Sequence, residues 1–246
     1  MTTRSSADTQ TTDESRDPVS APTTDLGTAR ASVAVDHPGI SALFGVLAAG
    51  EIAAFYRLTS EATMALSMRA KVAMARMAAS EMGHFETLSA ALEERGVDVM
   101  SAIERYSDVI ERYHGSTTPR NWLESVVKAY IGDALAADFY VEVAEALPAP
   151  AQQVVRDVMS ATVNSEFACA EVHRALENDP ALRSPLTLWG RRLLGEAITQ
   201  TQYALAAEES LTDMLFSGMS DLSMLTRFFD AIQERHAARM ADLGLG

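Results

Sequence analysis

The sequence predicts an all-α fold: a four-helix bundle followed by an additional C-terminal helical hairpin. Of its 246 residues 48% are hydrophobic but only 7% aromatic, an Ala- and Met-rich blend that suits closely packed helices. Apolar residues recur at three-and-four spacing over long segments, and no strand-like alternation runs far. Isolated acids stand on these apolar faces at matching places in two halves of the chain, so one hairpin design is used twice.

Residues 1–36 are rich in Ser, Thr, Asp and Ala, with too few large apolar groups to offset chain entropy, and are expected to be a disordered tail. The helical domain is then 37–246. Its first helix is expected from Pro38 through Glu51 to about Leu66. Ser67 is a good N-cap for a second helix that carries Glu81 and His84 and stops at Gly96, a natural C′ residue. Residues 97–118 are expected to form a crossover with a short amphipathic helix around Ala102–Ile110, ended at Gly115. Thr118-Pro119 suits the cap and first turn of a third helix, which bears Asp133 and ends before Pro148. A fourth helix after Pro150 carries Glu166, Cys169 and His173 and fades at Asn178-Asp179-Pro180. The last hairpin, Ser184 to about Ser217 and Ser220 to about Leu243, is expected outside the bundle or in dimer contacts.

The most informative stretch is Ala78-Ala79-Ser80-Glu81-Met82-Gly83-His84-Phe85. Three residues along a helix turn through about 300°, so Glu81 and His84 leave one face about a turn apart and can grip one cation together. That face is otherwise apolar, with Met74, Met77, Ala78, Phe85 and Leu88 at core spacing. A carboxylate there needs a cation or donors, because burying it unpaired costs several kcal/mol or neutralises it. The competing reading is a buried ion pair without metal.

The same oddity recurs. Glu51 is the only charge in the segment from Ala42 to Phe55, and Asp133 has Ala129, Tyr130, Ala136 and Ala137 around it. Glu51 precedes Glu81 by 30 residues and Asp133 precedes Glu166 by 33, so an acid helix is twice followed by a helix with an inward Glu. Asp138 competes with Asp133 for the inward place. In the second copy Cys169 stands where the first has His84 and reads as a small buried hydrophobe; His173, seven residues after Glu166, lies about 10 Å further along the helix. His236, among charges, is expected to be exposed.

Bundles that hold two metals take a carboxylate from each of two helices and a Glu-x-x-His from each of the other two. Glu51, Glu81, His84, Asp133 and Glu166 supply five of those six ligands. Carboxylates with imidazole suit iron, as one or two non-haem ions, and manganese also fits.

The runs Gly50-Glu51-Ile52-Ala53-Ala54-Phe55, Ser80-Glu81-Met82-Gly83-His84-Phe85 and Lys128 through Tyr140 resemble the actinobacterial ferritin-like proteins grouped with the tRNA-isopentenyladenosine hydroxylases, the MiaE-like group. The resemblance covers about residues 37–243. It implies a ferritin-like four-helix bundle and oxygen-dependent hydroxylation of a modified tRNA nucleoside at a di-iron site. It also implies bridging roles for Glu81 and Glu166, terminal ones for Glu51 and Asp133, and one iron on His84. The sequence departs from that pattern at Cys169. The alternative is a non-enzymatic ferritin-like scaffold with a degenerate metal site, used for assembly or partner binding.

Net charge is −14 with a pI near 4.7, which disfavours a polyanionic partner such as tRNA because phosphate binding needs a basic patch. A single cysteine suits a reducing compartment. No signal peptide is evident, and no apolar run is expected to reach the roughly 18 residues that span a bilayer. A cytoplasmic homodimer without membrane contact is expected, its substrate unspecified by any motif.

Overall fold

The structure is a computed structural model that describes residues 33–144, 147–159, 165–216 and 222–246. Residues 1–32 of the expected tail lie outside it, as do the expected helix ends at Ser217 and Ser220. All-α architecture holds throughout the described residues.

Helix α1 (Pro38–Glu61) opens with a proline in its first turn, and His37 caps it by accepting from Gly39 N through Nδ1 at 3.0 Å. A 3₁₀ turn, Ala62–Met64, extends it nearly to the expected end. Helix α2 (Met68–Glu94) starts where Ser67 Oγ accepts from Ala70 N at 3.1 Å. It ends at Gly96, whose φ of 71° is the left-handed conformation that favours glycine. Helix α3 (Val99–Ser116), capped by Asp98, makes the crossover.

Helix α4 (Trp122–Ala144) begins later than Thr118-Pro119 suggests. Asn121 Oδ1 accepts from Glu124 N at 3.0 Å and Glu124 Oε2 from Arg120 N at 2.7 Å, so the capping groups are Asn121 and Glu124. The expected fourth helix is found as α5 (Ala149–Met159) and α6 (Ser165–Asn178), with 160–164 outside the described residues. The final hairpin comprises α7 (Arg183–Ala207), α8 (Glu209–Phe216) and α9 (Leu222–Asp242). Glu208 separates α7 from α8 in extended conformation. Its buried carboxylate accepts from Tyr106 at 3.0 Å and pairs with Arg105 at 2.6 Å, so the break is tied to α3.

Helices α1 and α2 form the most extensive antiparallel pair, with α3 and α8 against α1 and α5 against α2; α4 packs on α6, α7 and α9. The last hairpin is therefore not an outer attachment, contrary to the sequence expectation. Leu186, Trp189, Leu193, Phe228, Phe229 and Ile232 share one core with Met74, Ile131 and Val172. Trp189 Nε1 also donates to Glu124 O at 2.9 Å. The core begins slightly before residue 37: Val33 packs on the second apolar cluster, and Arg95 Nη1 donates to Val35 O at 2.9 Å.

Pro38–Met64 contains an 18-residue window with a mean hydropathy of 1.6 and is long and apolar enough to cross a membrane by length and composition, unlike the sequence expectation that no run would be. It is a core helix here. Half of that window is buried, and Glu51 and Glu61 are buried on it.

Candidate metal centre

Three of the five expected ligands converge. Glu51 of α1 and Glu81 and His84 of α2 are all buried and offer ligand atoms within 4.8 Å of one another. His84 Nδ1 lies 3.3 Å from Glu51 Oε2 and 3.6 Å from Glu81 Oε2. The close packing of α1 along α2 brings the two carboxylates together, and the three-residue spacing sets Glu81 and His84 on one face, as the sequence requires. Sequence reasoning missed Ser80, whose Oγ lies 3.4 Å from His84 Nε2. A partner on Nε2 turns Nδ1 toward the carboxylates, the arrangement by which ligating histidines are oriented. Its spacing of four residues was the available signal.

The electrostatics fit a cation. Burial, then the neighbouring Glu51, pushes the Glu81 carboxyl up to about 8 against the opposing pull of His84. Burial would lower His84, but its hydrogen bonds to Glu51 and Glu81 carry it up to about 10. Desolvated carboxylates this close repel each other unless a positive charge is shared among them. In the chain alone a proton on His84 supplies that charge, and a divalent ion would supply it better.

Asp133 of α4 lines the same cavity as these three. Burial and then repulsion from Glu81 raise it to about 6. Asp138, its competitor, is engaged elsewhere. It is 3% exposed and forms a fork with Arg239, whose Nη2 donates to Oδ1 at 2.5 Å, while Arg235 Nε stands 3.3 Å away.

The structure does not bring Glu166 to the cluster: it is exposed on the first turn of α6 and is not among the residues that line the cavity. Cys169 packs half-buried against the core, and burial raises its thiol, which disfavours the thiolate a metal would need. His173 is exposed, its Nε2 2.7 Å from the Asp242 carbonyl. His236, expected to be exposed, is only 4% exposed, and neither ring nitrogen has a hydrogen-bond partner. Its flanking charges Glu234 and Arg235 misled the reading, because on a helix they point to other faces.

The cavity has a volume of about 290 Å³, is partly open to solvent, and is lined mainly by α1, α3, α4 and α7, with Glu81 and His84 of α2 in its wall. Near the cluster it is bounded by Leu47, Gly50, Ala54, Gly132 and Ala136, so Glu51, Glu81 and His84 adjoin a largely apolar stretch of the wall. Such a site can hold a small molecule beside a bound ion.

No curated protein matches this sequence. Residues 36–218 match the family model described as the ferritin-like domain of actinomycetes, which spans α1 through α8. The chain belongs to that ferritin-like family.

Proposed function

We propose that the chain is a non-haem iron protein that activates oxygen, a hydroxylase or oxidase acting in the cytoplasm on a small apolar substrate. The observation that carries this reading is the buried Glu51, Glu81 and His84 cluster opening into a cavity that Asp133 also lines. Glu51, Glu81 and His84 would hold the ion, with Asp133 as the nearest further carboxylate, and Ser80 would orient the imidazole. Iron bound there would supply the redox chemistry that a protein side chain cannot. The chain's own part is to position the ion and to set the substrate along the apolar walls against the metal end. Manganese suits the same donors.

With Glu166 exposed and Cys169 a thiol, the donor set at hand favours one ion per chain over two. A tRNA substrate rests on the family resemblance alone, and the charge of −14 weighs against it. The assembly proposed is a homodimer, checked by light scattering.

The testing measurement is metal content after anaerobic Fe(II) loading of the wild type and Glu81→Ala. About one iron per chain, lost in the variant, is expected; none in the wild type would sink the proposal. A second reading, a scaffold with a degenerate site, is favoured by the reach of His84 to both Glu51 and Glu81, which lets a protonated imidazole neutralise the pair. It expects the double variant Glu81→Leu, His84→Leu to be as stable as the wild type or more so, whatever the iron supply. The metal reading expects iron to raise the Tm of the wild type alone.

A further inference from the structure

The cavity has a second polar end. Glu61 lies ten residues beyond Glu51 on α1, about 15 Å along the helix axis, and lines the same space with Lys128 of α4 and Tyr113 and His114 of α3. Lys128 is 5% exposed, and its Nζ has no hydrogen-bond partner; the Tyr113 hydroxyl and His114 Nδ1 are buried and equally unpartnered. Lys128 Nζ stands 3.7 Å from Glu61 Oε1, an ion pair too long for a hydrogen bond, and 5.9 Å over the Tyr113 ring. Glu61 is instead held by Ser125 Oγ, which donates to Oε2 at 2.9 Å.

A buried donor without an acceptor costs about 1–3 kcal/mol, so several at one end of one cavity call for something to complete them. Burial lowers Lys128 only to about 8, so it is a cation at neutral pH. Burial, then Lys128 and Arg57, brings His114 down to about 3, so it is neutral. Arg57 lines this end too, and two cations thus face the carboxylate of Glu61, with Glu196 in electrostatic reach of Tyr113. The open valences at Lys128 and Tyr113 are donors. Their complement is a head group rich in acceptors and able to carry negative charge, which a carboxylate is.

Between this end and the metal cluster the wall is apolar, with Val109, Ile110, Leu194, Ile198 and Ile232. The volume of about 290 Å³ falls at the low end for small-molecule sites. We propose that Lys128, Tyr113 and His114 form a head-group subsite for an apolar carboxylic acid, whose chain lies along this wall with its far portion at Glu51, Glu81 and His84. The ligand's role as substrate rests on the iron reading above; its binding does not.

The test is isothermal titration of the full chain with decanoate, with decan-1-ol as the probe lacking charge and acetate as the probe lacking the chain. Decanoate is expected to bind once per chain, at least about tenfold tighter than either control. Lys128→Met is expected to raise its Kd about tenfold or more, and to leave decan-1-ol unchanged. Decanoate no tighter than decan-1-ol, or a Kd that Lys128→Met leaves alone, would overturn the subsite. If that variant does not fold, Tyr113→Phe decides, since it removes only an unpartnered hydroxyl; a rise of about threefold or more supports the subsite, and no change overturns it. Iron content of the same samples separates the two proposals. Decanoate binding in a chain that takes no Fe(II) keeps the subsite and sinks the iron reading, and iron uptake without decanoate binding does the reverse.

Discussion

Asp133 and Asp138 differ by five positions and compete in the sequence for one inward place, with Asp133 the candidate ligand; their partners separate them. Asp138 is buried against Arg235 and Arg239, so removing its carboxylate strands two partly buried guanidiniums. Asp138→Ala should lower stability by roughly 2–4 kcal/mol in urea unfolding and leave iron content unchanged. Asp133→Ala should do the opposite: it removes a carboxyl already raised by burial and by Glu81, so stability holds or rises while iron binding weakens. Histidine gives a pH test at the same scale. Burial lowers His236, and both its ring nitrogens are unpartnered, so the folded chain resists a proton that the unfolded chain accepts below about pH 6.5. The unfolded state then binds more protons, and stability present above the unfolded value is lost as pH falls through the lower folded one, by up to about 1.4 kcal/mol per pH unit. Urea midpoints should therefore drop from pH 7 to pH 5, and His236→Leu should shallow that drop; an equal drop in both would assign it to other groups, His114 first. Local spacing revealed Glu51, Glu81 and His84 because their signal lies within single turns, whereas the burial of His236 depends on how α9 docks, which no local pattern encodes.

At the scale of elements, glycines beside the acids reveal what the helices leave open. Gly50 and Gly132 line the cavity, and an added Cβ at either would meet nothing within 4 Å. Glycine inside a helix costs about 0.5–1 kcal/mol relative to alanine. Gly50→Ala and Gly132→Ala should each raise stability by about that amount, read from urea midpoints, with iron content unchanged. A loss of stability would mean that the space is filled by chain or tightly held water. Where an element's end is set by adjacent residues, as at Ser67 and Gly96, the sequence boundary agrees with the structure. Where it is set by tertiary ties it does not: the break at Glu208 depends on Arg105 and Tyr106 of α3, a hundred residues away in the chain. The start of α4 is a local case in which two caps competed, and Asn121 with Glu124 prevails over Thr118-Pro119.

At the scale of the molecule, the family match ends at residue 218, yet the core does not. Helix α9 and the residues after it contribute Phe228, Phe229, Ile232, Met240, Leu243 and Leu245 to the apolar cluster that also holds Met74 of α2, Val126 and Ile131 of α4 and Val172 of α6. Phe229 and Ile232 line the cavity, and Arg235 and Arg239 neutralise Asp138. The sequence could show that α9 is amphipathic but not which neighbour covers its apolar side, so the hairpin read as an attachment. Fully burying side chains of this size stabilises by about 1.5–3 kcal/mol each as an upper estimate, so together they reach the order of 10 kcal/mol. A whole domain's net stability is only about 5–15 kcal/mol. A chain ending at residue 218 should therefore lose its cooperative thermal transition, bind a hydrophobic dye, and take up no iron even though Glu51, Glu81, His84 and Asp133 are all present. If it melts cooperatively near the wild-type Tm, the matched region is self-sufficient and α9 is a cover laid over a finished bundle. If it fails, the unit that folds extends past the family boundary, and the hairpin closes the same core from which the metal cluster is built.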